Sequence, residues 1–341
     1  MPEARRRWVA RLTACALAGT SLAAAPLGAV GARATSAAVP AFRVVVEPAA
    51  GYGFLDRAIA GARHAVLVEM YELADPAIED ALIGAARRHV AVEVLLDQAY
   101  SGSTVNQPAY ARLLAHHVAV RWAYPGAIFH EKAIVVDAAT AYVGSGNLTA
   151  KYYATTRDFW VLDTQHADVA AIGAVFRTDW QRGPPTSGPR GADLVWSPNA
   201  EPTFLSLIGH AHRSITLESE ELSDTYVVNA LVAAARRHVA VHVTMTYSSA
   251  WRAAFDELVA AGAKVHVDRG EHPIYVHAKA LCIDCATGAH ASGTIVVGSQ
   301  NLSYSSLAFN RELSIRTTAH AVVAPIDAVL RADFLAASPY P

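Results

Sequence analysis

Two stretches of the sequence set the same side chains at the same spacing: His130, Lys132 and Asp137 before Gly-Ser145-Gly-Asn147, and His277, Lys279 and Asp284 before Gly-Ser299-Gln-Asn301. Imidazole gives and takes protons near neutral pH and can itself attack an electrophile. A phosphodiester anion repels nucleophiles and gathers more charge on its oxygens as it reacts, so fixed cations and hydrogen-bond donors aimed there stabilise the transition state. Lys132, Lys279, Asn147 and Asn301 are the residues of these stretches that supply them. With two histidines, one can begin neutral as nucleophile while the other begins protonated as acid, provided their environments differ. An attacking imidazole also needs its second nitrogen held by an acceptor. Asp158 in Thr-Thr-Arg-Asp-Phe and Glu312 in Phe-Asn-Arg-Glu-Leu follow their histidines by 28 and 35 residues and are the candidate orienting carboxylates. Ser145 and Ser299 are candidate phosphate ligands.

The elements that carry these side chains are readable from periodicity. Each motif opens on an alternating apolar run, F-H-E-K-A-I-V-V-D or V-H-A-K-A-L-C-I-D, which predicts a strand with His and Lys on one face. Seven residues on, Asp137 and Asp284 fall off that face and read as structural. Arg157 and Arg311 read as structural ion-pair partners. Glu69, Glu72, Glu218 and Glu221 recur at matched strand ends, where they line the cleft, bind a cation or, the plainer reading, are solvated; Tyr152, Tyr153, Tyr304 and Phe309 contact a lipid or base or, the plainer reading, pack in the core; His89, His116, His117 and His238 read as surface residues.

The chain is a duplication. Residues 67–96 realign 149 residues later, and Arg-Arg-His-Val-Ala-Val is identical in the two copies, at Arg87–Val92 and Arg236–Val241. Repetition over this length means a repeated domain and not a short solenoid unit. Each half reads as helix (Gly53–Ala62; Pro202–Ala211), strand (Ala65–Met70; Ser214–Glu218), helix (Pro76–Arg88; Val227–Arg237), strand (Val90–Leu96; Val239–Thr246), another helix and the two motif strands. The expected class is α/β, two pseudo-symmetric sheet domains flanked by helices. Expected boundaries are 40–182 and 192–337, joined by a linker over 183–191 that is rich in Pro and Gly.

Arg5, Arg6, Arg7 and Arg11 precede an apolar stretch and small-residue cleavage candidates, so residues 1–34 read as a secretory signal, with its cut site open, and the product as secreted or otherwise extracytoplasmic. No later segment is long and apolar enough to cross a bilayer. Removing the signal takes away five arginines and one glutamate, leaving 23 basic against 29 acidic side chains, a net −6. Nucleic-acid binders carry a basic excess, so that class loses ground. Of three cysteines Cys282 and Cys285 remain, open to a disulfide if a turn begins near Asp284, or to two free thiols. Two sulfurs with no histidine at ligand spacing do not make a zinc site.

At these residues the chain resembles the phospholipase D superfamily, marked by H-x-K-x4-D and a G-S/G-x-N segment, each present twice. The resemblance spans roughly residues 43–335. It implies two halves facing each other, one shared active site, and no metal or other cofactor. It further implies that one histidine forms a phosphohistidine while the other protonates the leaving alcohol and then activates water or an acceptor alcohol. His130 is nucleophile by resemblance alone. An acidic residue at the place of Asp158 and Glu312 also fits the family. The expected activity is phospholipid head-group hydrolysis at a membrane surface by a monomer, with transphosphatidylation possible. The alternatives are a metal-independent, non-specific endonuclease acting on nucleic acid, and a noncatalytic binding module, against which both complete motifs count.

Overall fold

The computed structural model describes residues 41–100, 102–189, 191, 193–270, 274–285 and 292–341; the signal expected over residues 1–34 lies outside them. The first half runs β1 (Phe42–Glu47), α1 (Gly53–Gly61), β2 (Ala65–Met70), β3 (Leu73–Ala74), α2 (Pro76–Arg87), β4 (Ala91–Leu96), α3 (Gln107–Ala115), β5 (Ala119–Trp122), β6 (Lys132–Val136), β7 (Thr140–Gly144), β8 (Leu148–Thr149), β9 (Thr156–Asp163) and α4 (His166–Asp179). The second runs β10 (Leu194–Ser197), α5 (Glu201–Gly209), β11 (Ser214–Glu218), α6 (Thr225–Arg236), β12 (Ala240–Thr246), α7 (Arg252–Ala260), β13 (Lys264–Asp268), β14 (Tyr275–Val276), β15 (Ala280–Ile283), β16 (Thr294–Gly298), α8 (Tyr304–Ala308), β17 (Glu312–Thr317), α9 (His320–Ala336) and β18 (Ser338–Pro339). None of the described helices is long and apolar enough to cross a membrane.

Both halves build one sheet topology, β1-β9-β7-β6-β2-β4-β5 and β10-β17-β16-β15-β11-β12-β13, the latter extended by β18. In each, the strands joined through helices pair in parallel and the motif strands pair antiparallel. Alternation sorts every central strand between two cores. Val66, Val68, Ile134, Tyr142 and Trp160 face the outer helices of the first half, whereas Leu67, Ala133, Val135, Val143, Phe159 and Val161 face inward. Leu281, Ile283 and Val296 face outward in the second half, and Ala280, Cys282, Ile295, Val297, Leu313 and Ile315 join the same inner core. The sheets therefore share a central hydrophobic layer, which α4 and α9 complete.

The duplication is repeated in the turns. Asp75 and Asp224 cap α2 and α6 by accepting from Ala77 and Val227 N–H at 2.8 and 2.9 Å. His89 and His238 end those helices with φ of 67° and 66°, left-handed positions beyond the last turn. Asp137 and Asp284 do structural work, as their place off the motif face suggests. Asp137 accepts from the N–H groups of Arg63, His64 and Ala65, and Asp284 from those of His212, Arg213 and Ser214, tying the motif strand to the start of its neighbour. The positive φ of Asp284, 54°, turns the chain so that Cys282 and Cys285 stand 5.9 Å apart at Cα and close a disulfide.

Two buried guanidinium pairs cross between the halves. Arg311 Nε lies 2.7 Å from Asp179 at the end of α4, and Arg157 Nε lies 2.5 Å from Asp333 in α9. Glu69 and Glu218 depart from the expected solvated strand ends, at 3% and 1% exposure beside these pairs. Burial, chiefly, pushes both carboxyls well above their ordinary value, and neighbouring acids add to it. Removing one partner of a buried pair strands the other charge, at a cost of about 3–5 kcal/mol. Asp179→Ala should lose stability of that order in a denaturant titration; a loss under about 1 kcal/mol would show that the pair does not clamp the halves.

Candidate active site

The residues before each motif histidine leave their own sheet and join the other half. Phe129 bridges Arg311 in parallel, His130 N–H donates to Arg311 O at 2.9 Å, and Arg311 N–H donates to Ile128 O at 2.9 Å. In the same way β14 pairs Tyr275 with Thr156 and Val276 with Arg157 of β9. The sequence expectation that His and Lys share one strand is therefore corrected: β6 begins at Lys132 and β15 at Ala280, after the histidines. Pairing with the opposite half is what pulls the histidines off their own strands.

Each histidine is thereby delivered to a carboxylate of the other half. His130 Nδ1 lies 2.8 Å from Glu312 Oε2, and His277 Nδ1 lies 2.8 Å from Asp158 Oδ1. The sequence spacing counted each acid from the histidine upstream in its own half, and the structure crosses them. Burial would raise both acids, but each facing histidine, with nearby lysine charge, outweighs it and holds the carboxyl below its usual range. An ionised acceptor requires the proton on Nδ1, which leaves Nε2 of each ring for chemistry.

Ser145 and Ser299 do not serve as phosphate ligands, correcting that expectation. Both are fully buried and bind the neighbouring strand: Ser145 Oγ accepts from Phe159 N–H and donates to Asp158 Oδ1 at 2.7 Å, while Ser299 Oγ accepts from Leu313 N–H at 3.0 Å. Glu312 is held instead by Ser306 Oγ at 2.6 Å and Asn310 Nδ2 at 3.3 Å. A Cβ at Gly146 would run into the Tyr52 hydroxyl and stand 3.0 Å from the Asp158 carboxyl carbon.

His130, His277, Asn147 and Asn301 line one cavity of about 640 Å³, with Asp158 at its base. Lys132 and Lys279 are buried alongside, donating to the carbonyls of His130 and His277 at 2.6 and 2.5 Å. Of the eight residues expected to carry the reaction, the structure gathers all at this place. Around them the two halves diverge. Tyr71 packs edge-on against His130, ring centroids 4.5 Å apart, and under Lys132 at 4.8 Å. At the matched position 149 residues on stands Glu220, whose Oε2 lies 2.8 Å from Lys279 Nζ and 3.4 Å from His277 Nε2. Neither residue was singled out from sequence, although aligning the repeat with itself sets Tyr opposite Glu there.

The comparisons agree with this geometry. A model of the cardiolipin synthase, phospholipase D-like domain matches residues 55–180 and again 204–334, one copy per half. The chain belongs to the phospholipase D superfamily. Cardiolipin synthase A of Pseudomonas aeruginosa is 25% identical over 86% of this chain, which spans 66% of that protein's length, just under two thirds. Among solved structures, phosphatidylserine synthase of Haemophilus influenzae superposes with a TM-score of 0.69 at 10% identity, covering 88% of this chain and 87% of that one. Polyphosphate kinase of Porphyromonas gingivalis gives 0.64 at 15%, covering 86% and 50%. Those two likenesses are of fold. Both halves of this phospholipase D-like chain carry the complete motif set.

The geometry suits a two-step transfer. Nε2 of one histidine attacks phosphorus, and the leaving oxygen takes the proton from Nε2 of the other. That second histidine then removes a proton from the water or alcohol that attacks the phosphohistidine. His130→Ala and His277→Ala should each cut turnover of an activated diester by at least ~10²-fold; retention of a tenth of the activity by either would break the two-histidine scheme. Burial, together with Lys132 and Lys279, lowers His130 below its ordinary 6.5 against the pull of Glu312. Burial and then Lys279 bring Lys132 down to about 7. Thus kcat/KM should rise as His130 loses its proton below pH 6.5, and fall as Lys132 loses its charge above about pH 7. An acid limb above pH 6.5 in the profile of a soluble diester would contradict a neutral His130 nucleophile.

Proposed function

We propose that this protein is an exported phospholipase D-type enzyme that cleaves phospholipid head groups through a phosphohistidine on His130, with water or an alcohol as second acceptor. The observation that carries the substrate is the lining of the cavity above the reactive atoms. Glu72, Glu220 and Glu221 stand there with Tyr71, Tyr100, Tyr152, Tyr153 and Tyr275, and among the described lining residues there is no Lys or Arg. A nucleic acid brings a row of phosphates that a basic surface must neutralise, and acidic walls oppose it. A lipid brings one phosphate, which needs only the local lysines, and apolar neighbours that suit tyrosines at a water–lipid boundary. Tyr100, Tyr152 and Tyr275 are 73%, 45% and 43% exposed at this cavity, where the packing role read for Tyr152 does not account for them. Tyr304 and Phe309, likewise read as packing residues, are 54% and 57% exposed just beyond Asn301.

The role of His130 also gains local support. It faces an aromatic ring, which favours a neutral nucleophile; a proton on Nε2 of His277 would face Glu220, which favours His277 as acid. Export is supported by the Arg-rich, then apolar, N-terminal sequence and by the Cys282–Cys285 disulfide, a bond that persists in oxidising compartments. The relative named as cardiolipin synthase A supports lipid chemistry.

The test is a side-by-side assay in chelator on phospholipid vesicles and on single- and double-stranded DNA at physiological salt. Vesicle lipid should be cleaved, DNA left whole, and added primary alcohol should divert product to the phosphatidyl-alcohol. Degradation of DNA with intact lipid would give the endonuclease reading the site, and loss of activity restored by a divalent cation would overturn a mechanism built from side chains alone.

A further inference from the structure

Beside the histidines the two halves differ at a few matched positions, and one of them sets Tyr71 against Glu220. Glu220 is not buried in an ion pair away from the chemistry. Its Oε2 stands 3.4 Å from Nε2 of His277, its Oε1 accepts from the Tyr275 hydroxyl at 3.2 Å, and its side chain is 24% exposed to the cavity. Resting on the reading of His277 as acid in a phospholipid-cleaving enzyme, the oxygen of the departing alcohol receives its proton at that Nε2. The rest of the alcohol must then begin beside Glu220.

We propose that Glu220 is a specificity-determining residue that binds an ammonium group carried by the alcohol leaving from, or attacking, the phosphorus. Lys279 is its partner at 2.8 Å. A phosphodiester bound beside the histidines adds a second negative charge for that one lysine to balance. A cation on the alcohol restores the balance. Burial alone would raise the Glu220 carboxyl, but Lys279 and then His277 outweigh it and hold it well below the usual range, so it is ionised when substrate arrives. Tyr275, Tyr71 and Glu221 line the same cavity, and tyrosine rings with a carboxylate are what a small organic cation requires.

Ethanolamine and 1-propanol test this because they have the same heavy-atom shape and differ in one charge. With a phospholipid donor in neutral detergent micelles, both alcohols compete for one phosphohistidine: the acceptor oxygen attacks phosphorus, the P–Nε2 bond breaks, and the acceptor proton passes to His277. At equal concentration the phosphatidylethanolamine product should exceed phosphatidylpropanol by about tenfold, the scale of a desolvated cation contact. Glu220→Gln should bring the ratio of the two products near one, whatever it does to their sum. As leaving groups, phosphatidylethanolamine should be hydrolysed with a kcat/KM about tenfold above phosphatidylpropanol, a readout that holds even if water outcompetes both acceptors. Ratios near one in the unaltered protein would overturn the proposal, as would a Glu220→Gln variant that loses both products equally, the mark of a residue that only positions Lys279. If neither lipid is cleaved, the phospholipid reading has failed; if both are cleaved at equal rates, only the role of Glu220 has.

Discussion

An imidazole acts in one direction only when its far nitrogen is held, and here the group that holds it always comes from the other half of the chain. His130 is fixed by Glu312 and His277 by Asp158. The backbone bridges at Phe129–Arg311 and Val276–Arg157 set the residues just before the acids against those just before the histidines, so the crossing is made by main chain before any side chain takes part. The arginines in those bridges then run into the interior and pair with Asp179 and Asp333 of the opposite half. The shared hydrophobic layer, the crossed ion pairs and the crossed histidine–carboxylate pairs are thus one device at three depths, and the catalytic geometry depends on the docking of the two sheets.

Near-twofold symmetry poses a chemical difficulty, since one imidazole must be neutral while its twin carries a proton. The structure meets it with few changes. Both histidines have a carboxylate at Nδ1, so orientation is common to both and the difference lies on the far side of each ring. Tyr71 gives His130 an aromatic neighbour; Glu220 gives His277 and Lys279 a second carboxylate. Glu131 adds a buried acid behind His130, raised to about 8 chiefly by burial, where the second half has Ala278.

Much of this was legible in the sequence. The repeat, the eight reactive and supporting residues and the α/β alternation follow from spacing and periodicity, because motif strands such as Lys132–Val136 and Ala280–Ile283 must send alternate residues to two cores. The crossing was not legible. Asp158 and Glu312 occupy matched places in matched halves, so the string of residues is the same whether each serves its own half or the other. The histidines looked like strand residues because Phe129 and Val276 are apolar, and apolar residues alternate equally well when the strand they extend belongs to the other sheet. Ser145 looked like a phosphate ligand because a small hydroxyl beside the motif asparagine fits that role; its burial against Phe159 and Asp158 is a tertiary fact. Glu69 and Glu218 looked solvated because nothing local says that the last helix of their own half, α4 or α9, and an arginine of the far half will lie beside them.

The exchanged carboxylates also bear on how such a chain could have arisen. Half of it, standing alone, would hold a histidine with nothing to orient it and an acid with nothing to orient. Two identical copies docked about a twofold axis would complete both at once. A gene for one half could thus have been selected for activity only as a self-associating protein, and its fusion into a single chain released each copy to mutate separately. Position 71 against position 220 is where that freedom shows: a symmetric pair must carry the same residue on both sides, and only the fused descendant can set a tyrosine across from a glutamate.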